Sequence, residues 1–179
     1  HYMPAANQVS APAAINPKNG EAVQVGQDGK FAGQVIKTVI DQFGKYSIIK
    51  VYRGTLSVDT PLYNTNQEKN EKGTAPGLMR GKKVTPMDKL IAGDIGALSK
   101  LQYTATGDTL CDPSDPVQFA AIEFPKPCIS LAVSAKKQGE EDKVFSGLAR
   151  LMEEDPSIKL EKNVETTETL LSGQGELHL

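Results

Sequence analysis

The sequence contains no tryptophan, only 6% aromatic residues, two cysteines and two histidines. A core made from this composition must rely on Val, Ile and Leu. No apolar run approaches the roughly 18 residues that a membrane-spanning helix needs, and the first residues lack the charged-then-apolar profile of a signal peptide. These absences predict a soluble, cytoplasmic protein without a membrane partner.

The few cysteines and histidines also limit the chemistry. A structural zinc site needs four close ligands, usually in CxxC-type pairs, and nothing in the sequence supplies them. Cys111 and Cys128 could form a disulfide, but two ordinary thiols in a reducing cytoplasm are the simpler interpretation. A small thiol enzyme using Cys111 with Asp108 and His178 is an alternative, although Cys111 and His178 both have simpler explanations.

Charge is distributed unevenly along the chain. The formal net charge is −2, yet residues 31–112 hold 11 Lys and Arg against eight Asp and Glu, whereas residues 113–179 hold seven against 12. The average therefore hides a basic half and an acidic half. A basic surface on the first half favours contact with nucleic acid.

The first 112 residues show two patterns. Residues 1–30 are rich in Ala, Pro, Asn and Gly with almost no periodic apolar signal, which predicts a tail or linker. Residues 31–112 contain short runs of β-branched and aromatic residues separated by turn signals, and no long helical period. Several short strands close their edges only in a sandwich or barrel, so we predict a small β-barrel, with residues 67–77 as an exposed loop.

The second half has a different pattern. Residues 113–123 contain a Pro-rich boundary and are predicted to be a linker. In residues 124–179, a strand at 128–134 precedes a helix at 139–155, whose apolar residues recur every three or four positions and which Pro156 ends. Two more strands follow, at 158–160 and 167–171. The β-α-β-β order is that of a split βαβ, ferredoxin-like α+β domain truncated before its last helix and strand.

Short motifs in these two regions resemble those of elongation factor G, a family of translational GTPases. In chain order they are KVYRGTL at 50–56, AGDI at 92–95 with TGDTL at 106–110, FPKP at 124–127, EDP at 154–156 and SGQGELHL at 172–179. The resemblance covers residues 31–179. It implies the family's barrel domain II followed by most of its domain III.

The chain departs from the family at several motif positions. Lys50 stands for a usual Arg, Arg53 for a small residue, Lys100 for a Gly before Leu101, and Gln174 for a common Met. These departures favour an elongation factor G-like paralogue over the housekeeping factor. A ribosomal-protection GTPase of the tetracycline-resistance type is the alternative, but the final octapeptide is altered in those proteins.

No GxxxxGK[ST] phosphate loop occurs in the chain, so we expect no GTPase activity and no cofactor in this segment. The resemblance implies that the parent protein is a GTPase that binds GTP and Mg in another domain. It also implies that domain II docks on small-subunit ribosomal RNA and protein. Phosphate contact requires exposed cations, and the candidates are Lys45, Lys50, Arg53, Arg80, Lys82 and Lys83.

A second set of residues is expected at surfaces between domains that relay the nucleotide state of the GTP-binding domain. The resemblance places in this set Gly107, Asp108, Thr109, Gly173, Gly175, Glu176 and His178. A simple turn in which Asp108 accepts hydrogen bonds from nearby amides explains most of the first motif. Gly173 and Gly175 are expected to permit a tight strand-to-helix turn. A free-standing nucleic-acid-binding barrel is a third possibility, which the second domain disfavours.

Overall fold

The computed structural model describes residue 4 and residues 8–41, 44–81, 83–137 and 139–179. The chain divides into two compact units between Ile122 and Glu123. The strands of the first unit are β1 Ala14–Ile15, β2 Ala22–Val23, β3 Ala32–Asp41, β4 Gly44–Arg53, β5 Thr55–Ser57, β6 Leu62–Asn64, β7 Lys69–Glu71, β8 Gly77–Arg80, β9 Lys83–Pro86, β10 Lys89–Ile91, β11 Ile95–Ser99, β12 Thr109–Cys111 and β13 Gln118–Phe119.

The main sheet of the first unit has the order β7-β6-β12-β3-β4-β11-β8-β9, and a separate ladder joins β10 to β5. In β4, side chains point alternately into and out of the core. Ser47, Ile49, Val51 and Arg53 are buried, and the residues between them are not. One apolar cluster takes side chains from strands spread across the sheet. It consists of Phe31, Val35, Ile49, Val51, Leu56, Leu62, Leu90, Leu98, Leu101 and Leu110. The sheet therefore curls around a single core as a barrel.

A second apolar cluster lies on the other side of the β3 and β12 strands. Ala32 and Cys111 face away from the barrel core and pack with Ala14, Val117 and Phe119. β1 pairs with β13 on one edge and β2 on the other, forming a three-stranded sheet.

The prediction of a tail at 1–30 and a linker at 113–123 is therefore wrong for the residues that form this sheet. Their strands are only two residues long, so no periodic signal predicts them. Residues 67–77 also differ from the predicted exposed loop, because Lys69–Glu71 forms a strand and Glu71 is buried.

The second unit contains β14 Ile129–Val133, α1 Glu141–Glu154, β15 Lys159–Lys162 and β16 Thr169–Gly173. Its sheet order is β14-β16-β15, and β16 pairs antiparallel with both neighbours. The first two strands are therefore parallel and split by the third, as the β-α-β-β pattern predicts. The helix has acidic Glu141 and Asp142 in its first turn and no buried residue. Within the described ranges, no helix combines the length and apolar character needed to cross a membrane.

Candidate nucleic-acid interface

The β8–β9 hairpin carries two of the predicted RNA-contacting cations at its end. Arg80 and Lys83 are register partners on the two antiparallel strands, and both side chains are exposed. Neither forms an ion pair with another residue that the structure describes. Lys82, the third predicted cation of this hairpin, lies outside the described residues. The hairpin end thus presents uncompensated positive charge, which is what contact with phosphate requires.

Two further predicted cations lie on β4 and are less accessible. Lys45 is half-buried opposite Ile40, near the end of the β3–β4 hairpin. Lys50 is also half-buried, and its Nζ lies 5.1 Å from the centre of the Tyr52 ring, which is a cation–π contact. Both Lys50 and Tyr52 line a cleft of about 330 Å³, and burial raises the pKa of Tyr52. The Lys50 ammonium group therefore interacts with Tyr52 of the same chain, which makes it less available to a phosphate.

Arg53 is not part of an exposed surface, and its prediction as an RNA contact does not fit the structure. Its side chain is only 9% exposed. Nε donates to the Lys30 carbonyl at 2.8 Å, and Nη2 donates to Asp115 Oδ2 at 2.8 Å. Both ends of the guanidinium are thus committed to the chain. Arg53 fastens two surrounding segments to the end of β4, because a buried guanidinium must be paired.

The TGDTL motif forms a turn whose polar groups are used within the first unit. The Gly107 amide donates to the Val35 carbonyl at 2.7 Å. Asp108 Oδ2 accepts from Asn64 Nδ2 at 2.9 Å and from the Ala105 amide at 3.0 Å. Thr109 is fully buried. Asp108 and Thr109 therefore do not lie on a surface of this unit, and the simple-turn interpretation accounts for them.

A buried polar network extends from this turn, and the sequence interpretation missed it. Asn64 Nδ2 donates to Thr104 Oγ1 at 3.2 Å, and Thr104 donates to Glu71 Oε1 at 2.7 Å. The Glu71 carboxylate also accepts the Gln102 and Tyr103 amides at 3.0 and 2.7 Å. These bonds fix the loop before β12 against β7. No local sequence pattern predicts these hydrogen bonds, because the partners lie more than 30 positions apart.

Lys69 and Tyr103 are a second feature that was missed. Lys69 Nζ lies 4.0 Å from the centre of the Tyr103 ring, and Tyr103 is 46% exposed. An exposed aromatic ring beside a cation is a common element of nucleic-acid-binding surfaces. The sequence signal for this feature is the pair of lysines, Lys69 and Lys72, in the polar stretch 67–77.

The C-terminal motif of the second unit folds back onto the end of its helix. The Gln174 amide donates to His178 Nδ1 at 3.0 Å, so the neutral ring carries its proton on Nε2. Nε2 then donates to Asp155 Oδ2 at 3.0 Å. The Ser157 hydroxyl, with smaller help from the Ser157 amide and His178, holds the pKa of Asp155 below its usual range. Asp155 belongs to the EDP motif, so two separate motifs meet here.

The glycines of this motif lie at a tight turn. A Cβ on Gly173 would lie 2.7 Å from Leu179 Cδ2 and 2.9 Å from His178 Nδ1, so a larger residue would require both of these side chains to shift. The His178 and Leu179 amides donate to the Gly175 carbonyl, which makes a tight turn. Glu176 is exposed within it.

Gln174 ties a third motif to the same place. Its side-chain amide Nε2 donates to the carbonyls of Pro125 and Lys126 at 3.2 and 2.8 Å. Both residues belong to the FPKP motif. A methionine, which the resemblance gives as the common residue at this position, has no such donor and could not make these bonds.

The alternative of a thiol enzyme finds no support in the geometry. Burial raises the pKa of the Cys111 thiol, and its Sγ contacts the Tyr63 carbonyl at 3.7 Å. Asp108 is engaged by Asn64, and His178 by Asp155. Activated cysteines need a lowered pKa and an adjacent base. Within the part of the chain that the structure describes, no group of three or more His, Cys, Asp or Glu could hold a metal ion.

Taken together, the molecule consists of a cation-bearing β-barrel and a split βαβ unit, with no catalytic group identified in the described residues. Comparison with known proteins gives the same division. The family model described as elongation factor G domain 2 matches residues 30–113, and that described as Elongation Factor G, domain III matches residues 124–179. The chain belongs to the elongation factor G family, and the predicted fold class is confirmed.

A solved structure agrees with this assignment. A crystal structure of a protein from Thermus thermophilus superposes with a TM-score of 0.73 at 30% sequence identity, over 84% of this chain. The matched region is 23% of that protein. The chain thus spans about a quarter of the length of the solved relative.

Proposed function

We propose that this chain is a ribosome-docking segment of an elongation factor G-like translational GTPase, acting in the translocation type of step in the cytoplasm. Its barrel contacts small-subunit ribosomal RNA and protein. GTP and Mg bind in a separate domain of the parent protein, which performs the hydrolysis. The observation that carries the proposal is the pair of family matches, to domains II and III in that order.

The exposed end of the β8–β9 hairpin supplies the contact in this proposal. Arg80 and Lys83 project from paired positions, so two cations address neighbouring phosphates of one backbone. Phosphate contacts position a protein on RNA without reading its sequence. The interior role of Arg53 removes one candidate and leaves this hairpin as the best supported contact.

The second unit has the relay role in this proposal. Gln174 and His178 hold the FPKP, EDP and SGQGELHL motifs in one hydrogen-bonded group. A group held at three points moves as one body, so displacement at one motif reaches the other two. Such a body is suited to transmit the state of a neighbouring domain.

Co-sedimentation with small ribosomal subunits across a salt series tests the docking. Each phosphate contact contributes about 0.7–0.9 to the slope of log K against log salt, so reversing both Arg80→Glu and Lys83→Glu should lower the slope by about 1.5. The matched control is Lys136→Glu with Lys137→Glu, two exposed lysines of the second unit. The control should leave the slope within experimental error. An unchanged slope in the hairpin variant would exclude this hairpin as the contact.

A further inference from the structure

Two segments of the barrel, residues 69–74 and residues 99–104, run side by side. The Thr74 amide donates to the Ser99 carbonyl at 3.2 Å, and the hydroxyls of the two residues lie 2.8 Å apart. Farther along, the buried Glu71 carboxylate accepts the amides of Gln102 and Tyr103. These contacts at both ends hold residues 69–74 against residues 99–104.

Three lysines and one tyrosine of these segments form what we call the lysine–tyrosine surface. Lys69 and Lys72 lie on the first segment, Lys100 and Tyr103 on the second, and all four side chains are exposed. None of the three lysines pairs with a carboxylate of a described residue. Glu71 is buried and hydrogen-bonded, and two exposed acids are nearby: Glu68, which precedes Lys69, and Asp59, which lines a pocket together with Lys72. The local charge is therefore positive.

Tyr103 is held in place more firmly than an ordinary surface residue. Its own amide donates to Glu71 at 2.7 Å, and the next residue, Thr104, is buried and bonded to the same carboxylate. Lys69 covers one face of the ring at 4.0 Å. The exposure of 46% fits a ring with its other face open to solvent. A ring on a fixed backbone, with one face already packed, loses less entropy than a free side chain when a planar group stacks on it.

We infer that the lysine–tyrosine surface binds single-stranded RNA, with an unpaired base stacked on Tyr103 and the flanking phosphates at Lys69, Lys72 and Lys100. Aromatic platforms beside lysines are how proteins hold unpaired strands without reading sequence. A duplex offers its phosphates but not its base faces, so it would leave Tyr103 unused. The choice of RNA among polyanions rests on the proposed function. The surface itself is distinct from the β8–β9 hairpin.

Binding of a fluorescently labelled oligoadenylate of about eight nucleotides, followed by anisotropy at low salt, tests the inference. Tyr103→Leu keeps apolar bulk but removes the ring, and should weaken binding about ten-fold or more, whereas Tyr103→Phe should stay within about two-fold. Lys100→Gly should weaken binding and lower the salt slope by about 0.7. Lys100 has φ 64°, which glycine adopts freely, so this variant keeps the fold. Lys159→Gln in the second unit is the charge-matched control and should bind normally.

Equal oligoadenylate binding by Tyr103→Leu and the unchanged chain would overturn the inference. So would polyphosphate or polyglutamate competing as well as the RNA, because simple charge attraction would then suffice. The circular dichroism melting curve of each variant confirms that it is folded. If the unchanged chain does not bind small subunits but still binds oligoadenylate through Tyr103, the result counts against the proposed function alone. If the unchanged chain binds small subunits but its oligoadenylate binding does not depend on Tyr103, the result counts against this inference alone.

Discussion

Replacing Arg53 with Ala separates a structural role from an RNA-binding role. Arg53 lies at the end of β4, where its Nε bonds to the Lys30 carbonyl and its Nη2 to Asp115. The aliphatic stem of Arg53 lies close to Gly29. A Cβ added to Gly29 would be in van der Waals contact with Arg53 Cδ, at 3.4 Å. The side chain therefore joins the segment before β3 and the segment after β12 to the barrel.

The cost of the substitution follows from these contacts. Removing the guanidinium leaves the Lys30 carbonyl without this donor, which costs about 1–3 kcal/mol where water cannot replace it. The partner Asp115 is 49% exposed, so loss of the ion pair itself adds less than about 1 kcal/mol. With the lost packing of the stem, we expect the free energy of unfolding to fall by about 2–4 kcal/mol. Asp115→Asn should cost less than about 1 kcal/mol.

Urea titration followed by tyrosine fluorescence is the suitable assay. There is no tryptophan, and all five tyrosines lie at or before residue 103, so the signal reports on the first unit. A double-mutant cycle with Asp115 then isolates the pair. The reasoning is refuted if Arg53→Ala leaves the urea midpoint unchanged but abolishes co-sedimentation with small subunits. That result would restore Arg53 as an RNA contact.

Three further predictions concern the backbone and pH. Gly54→Ala should lower the melting temperature of the barrel strongly, because Gly54 has φ 69° and the new Cβ would lie 2.5 Å from the Gly29 carbonyl oxygen. Lys100→Gly should raise the unfolding free energy by up to about 1 kcal/mol, because it relieves a left-handed conformation; a lower value in urea would contradict this. The depressed pKa of Asp155 means that the unfolded state binds a proton first as pH falls. The stabilisation that Asp155 contributes should therefore be complete above the ordinary carboxyl pKa and be lost as the pH falls through the pKa of the folded state. Hydrogen exchange of β15 and β16 measures this, and Asp155→Asn should remove this part of the pH dependence.

Local patterns were sufficient to predict most elements of the fold. The three- and four-residue recurrence of apolar residues and the stop at Pro156 predicted α1 to within two residues at its start and one at its end. The β-branched runs predicted β3 and β4. Strand order could not be predicted, because β12 pairs with β3 about 75 positions away and lies between β3 and β6. The small sheet of β1, β2 and β13 was not predicted because strands of two residues carry no periodic signal.

The candidate site was less predictable than the fold. Sequence alone identifies cations but does not say which of them the protein uses internally. Arg53 is among the predicted RNA contacts, yet it is paired with Asp115, which lies 62 positions farther along the chain. Lys69 was overlooked because the polar composition of its segment resembled a loop, although Glu71 anchors that segment inside the barrel. Long-range pairing decides both outcomes.

Polar residues of the motifs and exposed residues outside the motifs differ for a physical reason. Three polar side chains of the motifs (Arg53, Asp108 and His178) are buried or half-buried, and each bonds to a distant part of its own unit. A polar group at a buried junction must find a partner, and that requirement ties its identity to the fold. Exposed side chains such as Lys69 and Tyr103 carry no such requirement. Motif residues such as Asp108 and His178 are therefore tied to the fold. The contacts that distinguish this chain from its relatives should lie at exposed positions such as Lys69 and Tyr103, and at the motif positions where the chain departs from the resemblance, Arg53 and Gln174.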